Sequence, residues 1–225
     1  MRVRSLAVPA AALLAAGLAT ATALPASANH SWGGYHWARS GAVTVPIVSS
    51  VTSDWTGHVT TANSDWNKSA YIESGVTQGD TGSRTRRRCS SISGQIHVCN
   101  YSYGYTGWSG IASINLSSGL HIAYGTVKLN DSYEAGAPSA ERQGVTCQEI
   151  GHTYGLDHQD ENFDNPNLGT CMDYTRDWST NQHPNQHDYD ELATIYGHSD
   201  LAAARTSGVS KIKTGNTVTM ITWAD

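Results

Sequence analysis

Between positions 148 and 158 the chain reads Gln-Glu-Ile-Gly-His-Thr-Tyr-Gly-Leu-Asp-His, and no other run restricts the fold as much. On a helix, residues 148 and 152 are four apart, so their side chains lie about 40° apart on one face, one turn along, close enough to chelate one ion. Gly155 can adopt a left-handed conformation at the helix end, after which the chain doubles back and can carry His158 to the same point. Glu149 is one residue along from the first of these positions, where it can take a proton from water. The rest of the chain has to supply a helix over this run, a turn at Gly155 and a scaffold for the return.

Local signals provide that scaffold. Pro138 and Ser139 supply a helix start and Gly155 a stop, which predicts a helix over 140–154. Ahead of it, 42–51 alternate Val43, Val45 and Ile47 as a strand does, while 56–72 carry Val59, Ala62, Trp66 and Ala70 at helical spacing. Residues 74–88 read as a polar, solvated loop with a basic cluster, Arg84 and Arg86 to Arg88. Strand signals return at 95–99, 110–116 and 120–130, the last two joined by Ser117-Ser118-Gly119 as in a hairpin. A final amphipathic helix is expected over 187–196, with Tyr189, Leu192, Ile195 and Tyr196 on one face, and 217–223 read as a late strand.

The chain opens with Arg2 and Arg4, runs through an apolar stretch over 6–24 and reaches Ala26-Ser27-Ala28. That is the layout of a secretory signal peptide cleaved before Asn29, so a secreted, extracellular protein is expected, with no membrane attachment after cleavage. The formal net charge is −5 at pH 7, and loss of the two leader arginines makes it more negative by two. Such a balance disfavours nonspecific binding to nucleic acid or anionic membrane. Four cysteines in an exported chain point to two disulfides, for which three pairings are formally possible. Cys89 and Cys99 flank a short turn-rich stretch, and no pair shows the C-x-x-C spacing of a Cys-ligated zinc.

Glu149, His152, Gly155 and His158 stand at the spacings of H-E-x-x-H-x-x-G-x-x-H, with Gln148 in the place of the first histidine. Met172, in Cys171-Met172-Asp173-Tyr174, follows fourteen residues beyond His158 in the manner of a Met-turn. On these residues the chain resembles the metzincin clan of zinc metallopeptidases, in a matrixin-like or snapalysin-like form, over about 42–197. The resemblance implies an α+β, zincin-like fold with a twisted mixed sheet, an active-site helix and a small C-terminal subdomain after the Met-turn. The expected division is 1–28 signal peptide, 29–198 catalytic domain and 199–225 tail. The resemblance also implies Zn2+ held by His152, His158 and Gln148, and peptide-bond hydrolysis by zinc-bound water with Glu149 as general base. Tyr174 is implied as a metal ligand or oxyanion support. The implied partner is a protein or peptide substrate, added as an antiparallel strand to an edge strand at 110–116; a monomer is expected. The cysteines are expected to pair Cys89–Cys99 and Cys147–Cys171, the second tying the metal helix to the Met-turn.

Gln148 departs from the pattern, because a carboxamide oxygen is a harder and weaker donor to zinc than imidazole. Three arrangements stay open. Gln148 ligates through its oxygen, or another histidine takes the place, with His121, His183 and His187 candidates by residue type. In the third, zinc binds weakly or not at all and the protein is an inactive or repurposed zincin. Asp157, Asp160, Glu161 and Asp164 mark the loop after His158 as a candidate Ca2+ site, with a solvated acidic loop as the alternative.

Overall fold

Alternating apolar residues build one twisted mixed sheet in the computed structural model, which describes residues 30–198 and 212–224. The predicted signal segment at 1–28 lies outside them. In chain order the strands are β1 (His36–Trp37), β2 (Ile47–Ser50), β3 (Val76–Gln78), β4 (Ile96–Tyr101), β5 (Trp108–Leu116), β6 (His121–Asn130), β7 (Ile212–Thr214) and β8 (Thr217–Trp223). Their order across the sheet is β3-β2-β4-β6-β5-β8-β7, with β1 also paired to β6. The pairs β2–β3, β2–β4, β4–β6 and β1–β6 are parallel, whereas β5 runs antiparallel to both β6 and β8. The helices are α1 (Ser53–Trp66), α2 (Ser83–Arg88), α3 (Asp131–Glu134), α4 (Ser139–Thr153) and α5 (Gln186–Tyr196). Among the described residues no helix is long and apolar enough to cross a membrane.

Several expected boundaries need correction. The first strand is only Ile47–Ser50, with Val43 held by an isolated bridge to Ile72. The helix expected over 56–72 begins earlier, at Ser53, and ends at Trp66. It stops because the Asn67 amide group turns away to Ser74, accepting from its backbone N–H at 2.8 Å and donating to its carbonyl at 2.7 Å. The expected loop over 74–88 contains β3 and α2, and Arg86 is fixed there, donating from Nη1 to the Asn100 carbonyl at 3.0 Å. The expected edge strand at 110–116 is not an edge: β5 is flanked by β6 on one side and by β8 on the other.

Helix α4 is the element that the rest of the fold surrounds. Every residue from Gln143 to Thr153 is buried, so both faces are covered. On one side it meets α1, where Trp66 Nε1 donates to the Cys147 carbonyl at 3.0 Å. On the other it meets β5 and β6 so closely that a Cβ on Gly125 would lie 3.1 Å from Thr153. Burying Gln143, Gln148, Glu149 and His152 on such a helix opposes folding unless each gains a partner, and polar groups in that position call for a chemical explanation. The cysteines pair Cys89–Cys99 and Cys147–Cys171.

Glu134 closes α3 and is fully buried, with neither carboxylate oxygen in a hydrogen bond of ordinary geometry. Burial pushes its pKa up to about 7, the nearby Ser109 hydroxyl opposing in part. A carboxyl whose folded pKa is raised contributes stability in its protonated form. That contribution is complete below the unfolded value of 4.5 and is lost as pH climbs toward about 7. Glu134→Gln is therefore expected to leave urea stability unchanged near pH 4.5 and to raise it above wild type by roughly 2–3 kcal/mol at pH 8. An equal effect at both pH values would mean that the buried carboxyl does not titrate in this window.

Candidate metal and catalytic site

The end of α4 builds the site from local rules. The Tyr154 and Gly155 backbone N–H groups bond back to the carbonyls of Gly151 and His152 at 3.0 Å, and Gly155 takes φ +94°, so the chain reverses. A Cβ at Gly155 would sit 2.0 Å from the Tyr35 carbonyl oxygen, which makes glycine obligatory there. The segment that starts at His30 braces the turn from outside. Trp32 N–H donates to the Gly155 carbonyl at 2.7 Å, and Asp157 N–H to that of His30 at 2.6 Å. The buried Trp32 ring meets His152 edge-on at 5.9 Å between centroids.

Through this turn His158 returns to α4, and its Nε2 lies 3.1 Å from Nε2 of His152. Both rings are oriented from behind. His152 Nδ1 is 2.9 Å from the Leu156 carbonyl, which can only accept, and His158 Nδ1 is 3.3 Å from Glu161 Oε1 and 3.9 Å from Asp157 Oδ1. Each Nδ1 thus carries the proton, and both Nε2 atoms present lone pairs to the same point. Two acceptors at 3.1 Å repel unless a cation or a proton lies between them. Two imidazoles on one tetrahedral zinc, with bonds of about 2.0–2.1 Å, hold their nitrogens about 3.3 Å apart. The donor set fits that ion.

Gln148 is fully buried one turn before His152. Its Oε1 accepts from the Thr222 hydroxyl at 2.6 Å, and its Nε2 has no hydrogen-bond partner among the described residues. Glu149, also fully buried, faces β5, where only a glycine leaves room: a Cβ on Gly110 would lie 2.5 Å from its carboxylate oxygen. Burial pushes the Glu149 carboxyl up to about 8, with the Thr222 hydroxyl and the Ala112 backbone N–H opposing. The other candidate histidines have other partners. His183 Nδ1 pairs with Asp65 Oδ2 at 2.6 Å, His187 stacks on His30, and His121 meets His36.

Met172 lies beneath the helix, so close that a Cβ on Gly151 would come within 2.8 Å of its sulfur and 2.5 Å of the Trp66 ring. Its carbonyl accepts from Gln159 N–H at 2.6 Å, which ties this turn to the residue after His158. Its N–H donates to Thr170 Oγ1, and the Thr170 hydroxyl donates in turn to Asp188 in the first turn of α5. Tyr174 packs against His158 at 4.3 Å between ring centroids and donates from its hydroxyl to the Ile221 carbonyl at 3.3 Å. Of the acids proposed for Ca2+, Asp157 and Glu161 converge, and they do so on His158. Asp160 instead caps Asn162, and Asp164 pairs with the Arg176 guanidinium. Sequence reasoning missed Trp32, Gly110 and Thr222. Gly110, as a lone glycine inside a strand pattern, carried a signal of close approach, whereas nothing in the sequence joins Thr222 to residue 148.

No family model and none of the curated proteins matches the chain. Among solved structures, two of myroilysin are similar to it at 13% identity. One has a TM-score of 0.42, covering 72% of this chain and 86% of that one. The other has a TM-score of 0.44, covering 75% and 98%. What the site can do is decided by its own side chains.

Proposed function

We propose that the chain is a zinc-dependent endopeptidase of metzincin type, secreted and acting on protein or peptide segments. The observation that carries this is the pair of Nε2 atoms 3.1 Å apart, with each Nδ1 turned to an oxygen acceptor. His152, His158 and the Gln148 amide oxygen would hold the ion, which when bound polarises a peptide carbonyl and acidifies water. Glu149 takes the proton from the attacking water and delivers it to the leaving amine. Its buried, weakly paired carboxylate is a stronger base than an exposed one. Tyr174 orients the carbonyl through its hydroxyl, kept protonated because burial pushes the phenol upward. Trp32, Asp157 and Glu161 hold the histidine rings in place.

Zinc analysis of the mature chain, set beside casein digestion with and without a chelator, tests the proposal. One zinc per chain is expected, with digestion, by the wild type or by a chain whose strand β8 has been displaced from β5, abolished by the chelator. Digestion indifferent to chelation would sink it. So would a zinc-loaded chain that digests nothing, either as wild type or with its C-terminal strand displaced from β5. The runner-up is an inactive or repurposed zincin, favoured by the Thr222 hydroxyl that already engages Gln148 Oε1. Gln148→His separates the two, since it replaces an oxygen donor with imidazole at unchanged helical spacing and is expected to tighten zinc by at least ~10-fold. If only that variant holds zinc and digests casein, the runner-up is right.

A further inference from the structure

The strand that covers β5 lies where the proposed function needs a substrate. We infer that residues 217–223 are an internal occupant of the peptide-binding edge, which keep the site closed until β8 is displaced. This rests on the proposed function only for the kind of ligand excluded, an extended peptide.

Three independent features point to it. The first is backbone pairing: β8 lies antiparallel along β5, with Gly110 opposite Thr222, Ala112 opposite Met220 and Ile114 opposite Val218. An extended peptide recognised through the edge of a sheet makes the same ladder. The second is the placement of one peptide unit. The Ile221 carbonyl accepts from the Tyr174 hydroxyl, and the next residue, Thr222, donates to Gln148 and lies against the Glu149 carboxylate. The Ile221 carbonyl and the Thr222 side chain thus occupy groups proposed to handle a scissile peptide. The third is the means of retention. Val218 and Met220 are buried on the face toward α4, and Trp223 at the far end is 52% exposed. Among the described residues, the strand beyond β8 is the three-residue β7. A strand serving only to finish the sheet would need the apolar contacts of Val218 and Met220, but not polar contacts to Tyr174 and Gln148. For β8 to leave, its ladder with β5 and the short pairing with β7 have to open, whereas β4 and β6 lie deeper in the sheet, each between two other strands that stay in place.

The test uses the full mature chain and a fluorescein-labelled peptide with the sequence of residues 215–225, followed by fluorescence anisotropy. Val218→Asp combined with Met220→Asp places two charges in the buried positions of β8 and ejects it without shortening the chain. The double variant is expected to bind the peptide at least ~10-fold more tightly than wild type, because its competent state is no longer rare. A double variant that retains the wild-type circular dichroism spectrum but binds the peptide no better would overturn the inference. Hydrogen exchange on the wild type gives a measure that survives misfolding of the variant. Amides of 217–223 should exchange at least ~10-fold faster than those of α4 and β6. Exchange of β8 at the rate of those elements would make it an inseparable part of the core and would also overturn the inference. Peptide binding needs no hydrolysis. A double variant that binds the peptide and cleaves nothing therefore supports the internal occupant while sinking the endopeptidase.

Discussion

With β8 displaced by Val218→Asp and Met220→Asp, adding Glu149→Gln is expected to lower peptide hydrolysis by at least ~100-fold while leaving zinc per chain unchanged. Glutamine preserves the volume that Gly110 leaves free and the buried position between α4 and β5. It cannot take a proton, so the chemical step loses its base and the fold keeps its packing. Elemental analysis and turnover of a quenched-fluorescence peptide, measured on the same preparation, check both halves. Loss of zinc together with activity would assign Glu149 a structural role at the metal, and unchanged turnover would place proton transfer on another group.

The second large effect is expected at Gly155. Alanine there meets two penalties at once, a backbone φ of +94° and a Cβ 2.0 Å from the Tyr35 carbonyl oxygen. Neither neighbour can give way cheaply, because Tyr35 is held by its own backbone bond to Trp32 and the turn is held by the bond from Trp32 to Gly155. Together these amount to a loss of roughly 3–5 kcal/mol, visible as a melting midpoint lower by about 10 °C or more. Gly57 on the exposed face of α1 is the control. A Cβ there meets nothing within 4 Å, so Gly57→Ala should hold or raise the midpoint. Parallel melting curves decide it, and a Gly155→Ala protein as stable as wild type would mean that the turn has room to rearrange.

What the sequence disclosed and what it concealed divide along one physical line. Helix α4, the β5–β6 hairpin and α5 are specified by short-range signals, namely a proline and serine start, a glycine stop, a short Ser-Ser-Gly turn and apolar residues at one period. The approach of His152 and His158 belongs with these, because helix spacing and one glycine turn suffice for it. Residues 76–78 carried no such signal, since a polar strand on the outer edge of a sheet need not alternate. The end of α1 was hidden for another reason. Apolar positions continue past Trp66 at helical spacing, and the Asn67 amide group overrides them by bonding to Ser74. Hardest to foresee was the neighbour of β5. A segment of alternating Thr, Val, Met and Ile announces a strand, but its partner is chosen by a surface that exists only after the rest has folded.

The pairing of β5 with β8 joins residues such as Ile111 and Ile221, which are far apart along the chain, whereas β5 and β6 meet through a tight connection. Closing a long loop costs entropy before any contact compensates for it, so distant pairings form late. The order in which this sheet assembles is therefore written into its connectivity. The hairpin, the buried helix and its turn can come together while the last strand is still free, and during that interval β5 has an open edge. Unpaired edges attract other extended chains, so the molecule is most exposed to unwanted association in the moments before its own final strand arrives.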